Sequence, residues 1–233
     1  MISAFNTATK GLIYLQKGMD VTANNIANSN TTGYKADDTV FTDLLYTYQR
    51  GTQNEYDVKQ GNGVRVQSTN TLFTTGVLTP TDDSLCYALL DDDTFFAILT
   101  EDGVKYTRNG SFQLSMINGD AYLTSASGGY VLDSNGNTII VTDRDAKQDV
   151  GAFTFTNVNA LTKRAKTLFE ANDQTGEAFI KETAVIKQFY LENSNVNLAD
   201  EMTDIIRLQR GFQFNSKIVQ MADEIAQTIN SLR

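Results

Sequence analysis

The chain has 233 residues, 41% of them hydrophobic, enough for a sizeable buried core, and a formal net charge of −9. It contains no histidine and a single cysteine, Cys86, which excludes imidazole catalysis, histidine metal ligation and an intrachain disulfide. Charge is +2 over residues 1–35, −9 over 36–190 and −2 over 191–233, leaving no basic stripe for a nucleic-acid backbone or an anionic membrane.

Residues 1–30 carry Phe5, Ala8, Leu12, Leu15, Met19 and Ile26 on one heptad register, with Thr22 and Ser29 as its polar members, and this spacing predicts an amphipathic helix. The end of that helix is loaded with amides, Asn24, Asn25, Asn28 and Asn30. Asparagine competes for backbone hydrogen bonds inside helices. An uncharged amide both donates and accepts, so these residues are expected to fix the register of a helix surrounded by others. Gly33 then offers a stop. The apolar run at 12–15 is far too short to span a membrane and no small-residue cleavage site follows it, so export, if it occurs, is expected without a cleaved signal peptide.

Polar residues dominate 47–62, and 36–62 reads as an extended connection. From 63 to 189 the character changes to short β-prone runs, at 63–67, 86–90, 94–99, 104–107, 130–132 and 138–141, separated by Gly, Asn and Asp. The Asn135-Gly136 pair between two of them suits a hairpin turn. From 190 to 233 a second heptad register holds Ile205, Leu208, Phe212, Asn215, Val219, Ala222, Ala226 and Ile229, with Asn215 its polar member. Asp200 and Glu201 near its start and Arg233 at its end follow the helix dipole. The fold class is α+β: N- and C-terminal helices (1–35 and 190–233) with an antiparallel β domain (63–189) inserted between them, the two stripes suiting a coiled-coil-like axial region with neighbouring copies as well as packing inside the chain.

Candidate chemical sites are weak. Asp91, Asp92 and Asp93 with Glu101 and Asp102 lack the alternating ligands and central glycine of a calcium loop and read as a solvated acidic turn. Cys86 has no histidine to activate it and reads as a small buried side chain. Gly61 and Gly63 carry no phosphate-loop ending. No catalytic, cofactor or metal residue is assigned.

The two ends also resemble a known family. "MDVTANNIANSNTTGYKADDTVFTDLL" is similar to the N-terminal signature of bacterial flagellar rod and hook proteins, and "LENSNVNLADEMTDIIRLQRGFQFNSKIVQMADEIAQTINSLR" to their C-terminal one. In the middle, Tyr106-Thr107-Arg108-Asn109-Gly110-Ser111-Phe112 resembles the family's YTRxGxF segment. Phe73 to Thr81 resembles the stretch that precedes a paired phenylalanine. Matching signature positions are Thr31, Thr32, Gly33, Tyr34, Lys35, Tyr106, Thr107, Arg108, Asn109, Gly110, Gln209 and Arg210, while Gly211 stands where the family usually has alanine.

The resemblance implies a non-enzymatic axial protein of the flagellar basal body, delivered by the flagellar export apparatus. It implies a helical homopolymer built through the terminal helices, in contact with other rod and hook proteins and transmitting torque as a drive shaft. Subunit packing would then fall to Phe5, Leu12, Leu15, Met19, Asn24, Asn25, Ile26 and Asn28 with the second heptad. The chain leaves no room for a hook protein's outer insertion, and the segment 41–66 is more similar to distal than to proximal rod members. A proximal rod or hook-type protein, or a secreted filament or adhesin, is the alternative.

Overall fold

The structure, a computed structural model, describes residues 2–49, 58–117 and 119–232. It divides into two compact units, one comprising Met1–Ile26, Asp37–Asn70 and Asn197–Arg233, the other Ala27–Ala36 and Thr71–Val196.

The first unit holds the helices α1 (Ile2–Ala27) and α2 (Leu198–Ser231). The Asn197 side chain caps α2 by accepting the Ala199 N–H at 3.2 Å, and Asp200 and Glu201 fill the first turn, where the dipole favours negative charge. Strand β1 (Asp37–Asp43) pairs with β4 (Val64–Thr71), and β2 (Thr47–Gln49) pairs antiparallel with β3 (Val58–Gln60). The stretch 36–62, expected as an extended connection, therefore carries three strands. In β1 the half-buried positions are Asp37, Thr39 and Thr42, while Val40 and Phe41 are exposed. Residues 50–57 of the segment similar to distal rod members lie outside the described residues, as does Arg233.

The second unit is built on a nine-stranded sheet. Before it come β5 (Leu78–Pro80) and β6 (Tyr87–Leu89). The sheet uses β7 (Thr94–Thr100), β8 (Gly103–Thr107), β9 (Phe112–Ile117), β10 (Asp120–Ser125), β11 (Tyr130–Val131), β12 (Ala152–Phe155), β13 (Thr162–Lys163), β14 (Leu168–Glu170) and β15 (Ala178–Ile180). Strand β7 is the spine: one edge pairs along β8, and the other is shared by β12 at Thr94–Phe96 and by β11 at Ile98 and Leu99. All pairings are antiparallel.

Because side chains alternate along a strand, β7 serves two cores. Phe95 and Ala97 enter one, with Tyr106, Phe155 and Phe169, while Phe96 enters the other, with Tyr87, Phe112 and Leu123. Ring centroids 5.3 Å apart for Phe73–Phe95 and 5.2 Å for Phe96–Phe112, both edge-on, show how closely these aromatics interlock. The run 138–141, expected as a strand, makes only isolated bridges, Leu132 with Thr138 and Tyr122 with Ile140. Its hairpin turn is held by Asp133, whose carboxylate accepts the N–H groups of Asn135 and Asn137.

The chain leaves the second unit through β16 (Ile186–Gln188), paired with β6, and β17 (Tyr190–Glu192), paired with β5. Phe189 between them has φ 65°, so consecutive strands can switch partners; its N–H donates to Cys86 and its carbonyl accepts from Thr81. Residues 190–197, grouped in the sequence reading with the C-terminal helix, thus precede it as a strand and a cap.

Candidate functional site

The first site is the seam between α1 and α2. A side chain added at Gly11 would meet the Asn215 amide at 3.2 Å, one at Gly211 would meet Leu15 at 3.3 Å, and one at Gly18 would meet Leu208 at 3.4 Å. Further along, the Asn25 amide donates to Glu201 Oε1 at 2.8 Å. Every step forward in α1 meets an equal step back in α2, so the helices run antiparallel in a single fixed register. The buried stripe of α1 is Ala8, Gly11, Gly18, Thr22 and Asn25, with Leu15 half-buried among them.

That stripe corrects the register expected from hydrophobicity. It shares Ala8, Leu15 and Thr22 with the expected heptad, but leaves Phe5 exposed and Leu12, Met19 and Ile26 half-buried at its margin. Two glycines that no hydrophobicity count registers occupy its centre, where the missing side chains let the helices approach. On α2 the expected register fits better: Ile205, Leu208, Phe212, Asn215, Val219 and Ala222 are all half-buried, while Ala226 and Ile229 are exposed. Asn215 Nδ2 also donates to the Gly211 carbonyl at 3.0 Å.

The amides at the end of α1 have intrachain work. Asn25 is buried, accepts the Asp37 N–H at 3.0 Å and donates to the Asp37 carbonyl at 2.8 Å, so it ties the returning chain to the helix. Burial pushes the Glu201 carboxyl upward, and the Asn25 bond opposes that shift. Asn28, also buried, accepts from Thr31 in the following turn, and Asn24 is exposed.

The second site joins the signatures inside the second unit. Gly33 (φ 66°) lies against the Arg108 and Asn109 backbone; a Cβ there would stand 2.4 Å from the Asn109 nitrogen. Tyr34 is buried with Lys163 Nζ 4.1 Å over its ring, and the same Nζ donates to the Lys35 carbonyl at 2.9 Å. Lys35, Arg108 and Glu192 are buried together: Lys35 Nζ donates to Glu192 Oε1 at 2.6 Å, and the Arg108 guanidinium forks onto both Glu192 oxygens at 2.9 and 3.2 Å. Lys35 also donates to the Thr74 carbonyl and Arg108 to the Thr94 and Asp91 carbonyls, while Glu192 accepts the Gly76 N–H. Burial, then the nearby guanidinium, lowers Lys35 to about 8 despite Glu192.

Around this cluster, Asn195 accepts the Ala36 N–H and donates to the Leu72 carbonyl. Three segments distant in sequence, 33–36, 72–76 and 192–195, are thereby stapled together. Asp92 of the acidic turn accepts from the Thr75 N–H and hydroxyl, contacts that hold its carboxyl below the usual range. Among the remaining signature residues, Thr31 and Thr32 are half-buried, Tyr106, Thr107 and Gly110 buried, Asn109 half-buried, and Gln209 and Arg210 exposed on α2. Sequence reasoning missed Glu192, Asn195, Gly11 and Gly18; the first two stood inside the quoted C-terminal signature, and the glycines were visible as an i, i+7 pair.

Family models match at both ends of the chain: the flagella basal body rod protein model over residues 5–35 and the flagellar basal body rod FlgEFG protein C-terminal model over 187–232. Over its full length, and all of the relative's, the chain is 33% identical to the flagellar basal-body rod protein FlgG of Bacillus subtilis. The chain belongs to the flagellar basal-body rod protein family. It is also 32% identical to FlgG of Buchnera aphidicola subsp. Baizongia pistaciae, again over all of both chains. Identity is 28% to the flagellar hook-basal body complex protein FlhP of Bacillus subtilis, also across the whole of both. As a FlgG-like member, the protein is a structural component of the basal-body rod. The two family-model matches cover the helix seam and the stapled segments 33–35 and 192–195. Among the described residues no helix is long and apolar enough to cross a membrane, and no group of His, Cys, Asp and Glu is gathered as a metal site.

Proposed function

We propose that this rod protein is a distal-type subunit that polymerises helically through its helix-bearing unit, with the β-rich unit as the outer domain, and transmits torque without catalysis. The observation that carries the reading is the fixed antiparallel register of α1 on α2. Its glycine and amide contacts make a stiff two-helix element, and several apolar residues on the outward sides of both helices remain exposed. On this reading Ile205, Leu208, Phe212, Asn215, Val219 and Ala222 serve assembly by holding the pair together, with Leu12, Leu15, Met19 and Ile26 facing them or flanking the seam. Export through the flagellar apparatus without cleavage, and contact with other rod and hook proteins, belong to the same proposal.

Phe212→Glu with Val219→Glu places two charges without a counter-charge at half-buried positions of the seam, in exchange for its apolar contacts. The full-length wild-type chain should form regular filaments in negative-stain images as its concentration rises, and the double variant should form none. Filaments of normal form from the double variant would refute the role of the helix pair.

A further inference from the structure

The register of α1 on α2 is pinned at one end by Asn25. Its Nδ2 donates to the Asp37 carbonyl and to Glu201 Oε1, both at 2.8 Å, while its Oδ1 accepts the Asp37 N–H at 3.0 Å, so a single amide joins α1, β1 and α2. Glu201 is half-buried at this joint, and among the described residues it forms no ion pair with a cation. Its charged neighbours are acids. On α2, Asp200 precedes it and Asp204 lies at i+3; on β1, Asp38 follows the residue that Asn25 holds. The Asn197 amide donates to Asp200 at 2.7 Å, and Arg207 is taken up by Asp204 at 3.0 Å.

A carboxylate in this place is partly withdrawn from water and short of counter-charge. Burial first, and then Asp204, Asp38 and Asp200, push the Glu201 carboxyl above its ordinary value of 4.5, with the Asn25 bond opposing them. Protonation removes the charge and keeps the bond, because a carboxylic acid retains a carbonyl oxygen that can accept from Asn25. We propose that Glu201 is a proton-operated latch on the helix seam: as the acid it holds α2 to Asn25, and so to α1 and β1, and as the carboxylate it loosens the same joint. The sign follows from linkage. Below pH 4.5 the group is protonated in the folded and the unfolded chain alike, and its contribution is fully present. As pH rises above that value the unfolded chain releases its proton first, so the seam loses stability until the folded carboxyl has ionised as well. The latch works within one copy, and its failure would leave the assembly reading untouched.

Two measurements on the full-length chain test it. In an NMR titration of side-chain carboxyl carbons, the Glu201 signal, assigned through its own backbone, should have a midpoint above 4.5 in the wild type, a reading that needs no variant that could misfold. Asp38→Asn with Asp204→Asn, both at exposed positions, should bring that midpoint down. In denaturant unfolding followed by helical ellipticity, wild type should lose stability relative to the uncharged, equally shaped Glu201→Gln as pH is raised from 4.5 to neutral. A wild-type midpoint at or below 4.5 overturns the proposal, as does a midpoint that the two asparagines leave unmoved. So does a stability difference between wild type and Glu201→Gln that stays constant with pH.

Discussion

Lys35 and Glu192 share a 2.6 Å ion pair with side-chain exposures of 0% and 1%, and Arg108 closes the same carboxylate from the other side. Two buried cations therefore depend on one buried anion. Replacing Glu192 by glutamine keeps the shape and removes the charge, which should cost about 3–5 kcal/mol because breaking a buried pair leaves its partners uncompensated. Denaturant unfolding of the full chain reads this directly. A loss below about 1 kcal/mol would mean that water reaches the cluster.

The same burial sets a pH signature. With Lys35 at about 8 in the folded chain and near 10.5 unfolded, both states are protonated below pH 8 and the desolvation penalty is fully present. Between pH 8 and 10.5 the unfolded chain holds a proton that the folded chain has released, so this group makes stability rise with pH, by up to about 3 kcal/mol. The unfolding free energy of wild type relative to Lys35→Met should increase from pH 7 to pH 10. A constant difference would contradict the assigned environment.

Gly18 and Gly211 should respond oppositely to substitution. A Cβ at Gly18 would stand 2.9 Å from the Phe41 ring, and a valine there adds bulk that the seam has no space for, costing about 1–3 kcal/mol. At Gly211 the obstacle is a terminal methyl of Leu15 at 3.3 Å, which can rotate, and alanine gains about 1 kcal/mol of helix propensity. Helical ellipticity on heating should fall earlier for Gly18→Val and later for Gly211→Ala.

Phe189 holds its positive φ at a cost of about 1–2 kcal/mol for a residue with a Cβ, and its side chain is 42% exposed. Phe189→Gly should therefore raise the melting temperature by a few degrees. A fall of similar size would show that the ring contributes more burial than the backbone loses in strain.

The two terminal helices were legible because their apolar residues recur at helical spacing, and on α2 the half-buried positions from Ile205 to Ala222 follow that spacing. The α1 register was harder. Its inner face is lined by Ala8, Gly11, Gly18, Thr22 and Asn25, chosen for size and hydrogen bonding, so a count of apolar residues pointed to Phe5, Leu12 and Met19 instead. The amide-rich end was flagged for its composition, but its partners, Asp37 and Glu201, depend on chain return and helix pairing that local sequence does not encode. Strand β1 was invisible for a related reason: its half-buried positions hold Asp37, Thr39 and Thr42 while Val40 and Phe41 are exposed, so its apolar residues do not mark its inward side. The signatures around Lys35 and Arg108 were recognised as patterns, while the charge that joins them, Glu192, appears only once the fold brings three segments together.

The most direct test of the structural reading is electron microscopy of basal bodies from a strain whose copies of this gene are deleted, with the wild-type gene restored in parallel. Loss of the subunit should leave envelope rings without a completed rod, hook or filament, and restoration should return all three. Complete hooks and filaments in the deletion strain would contradict the assignment of this chain as a structural subunit of the rod.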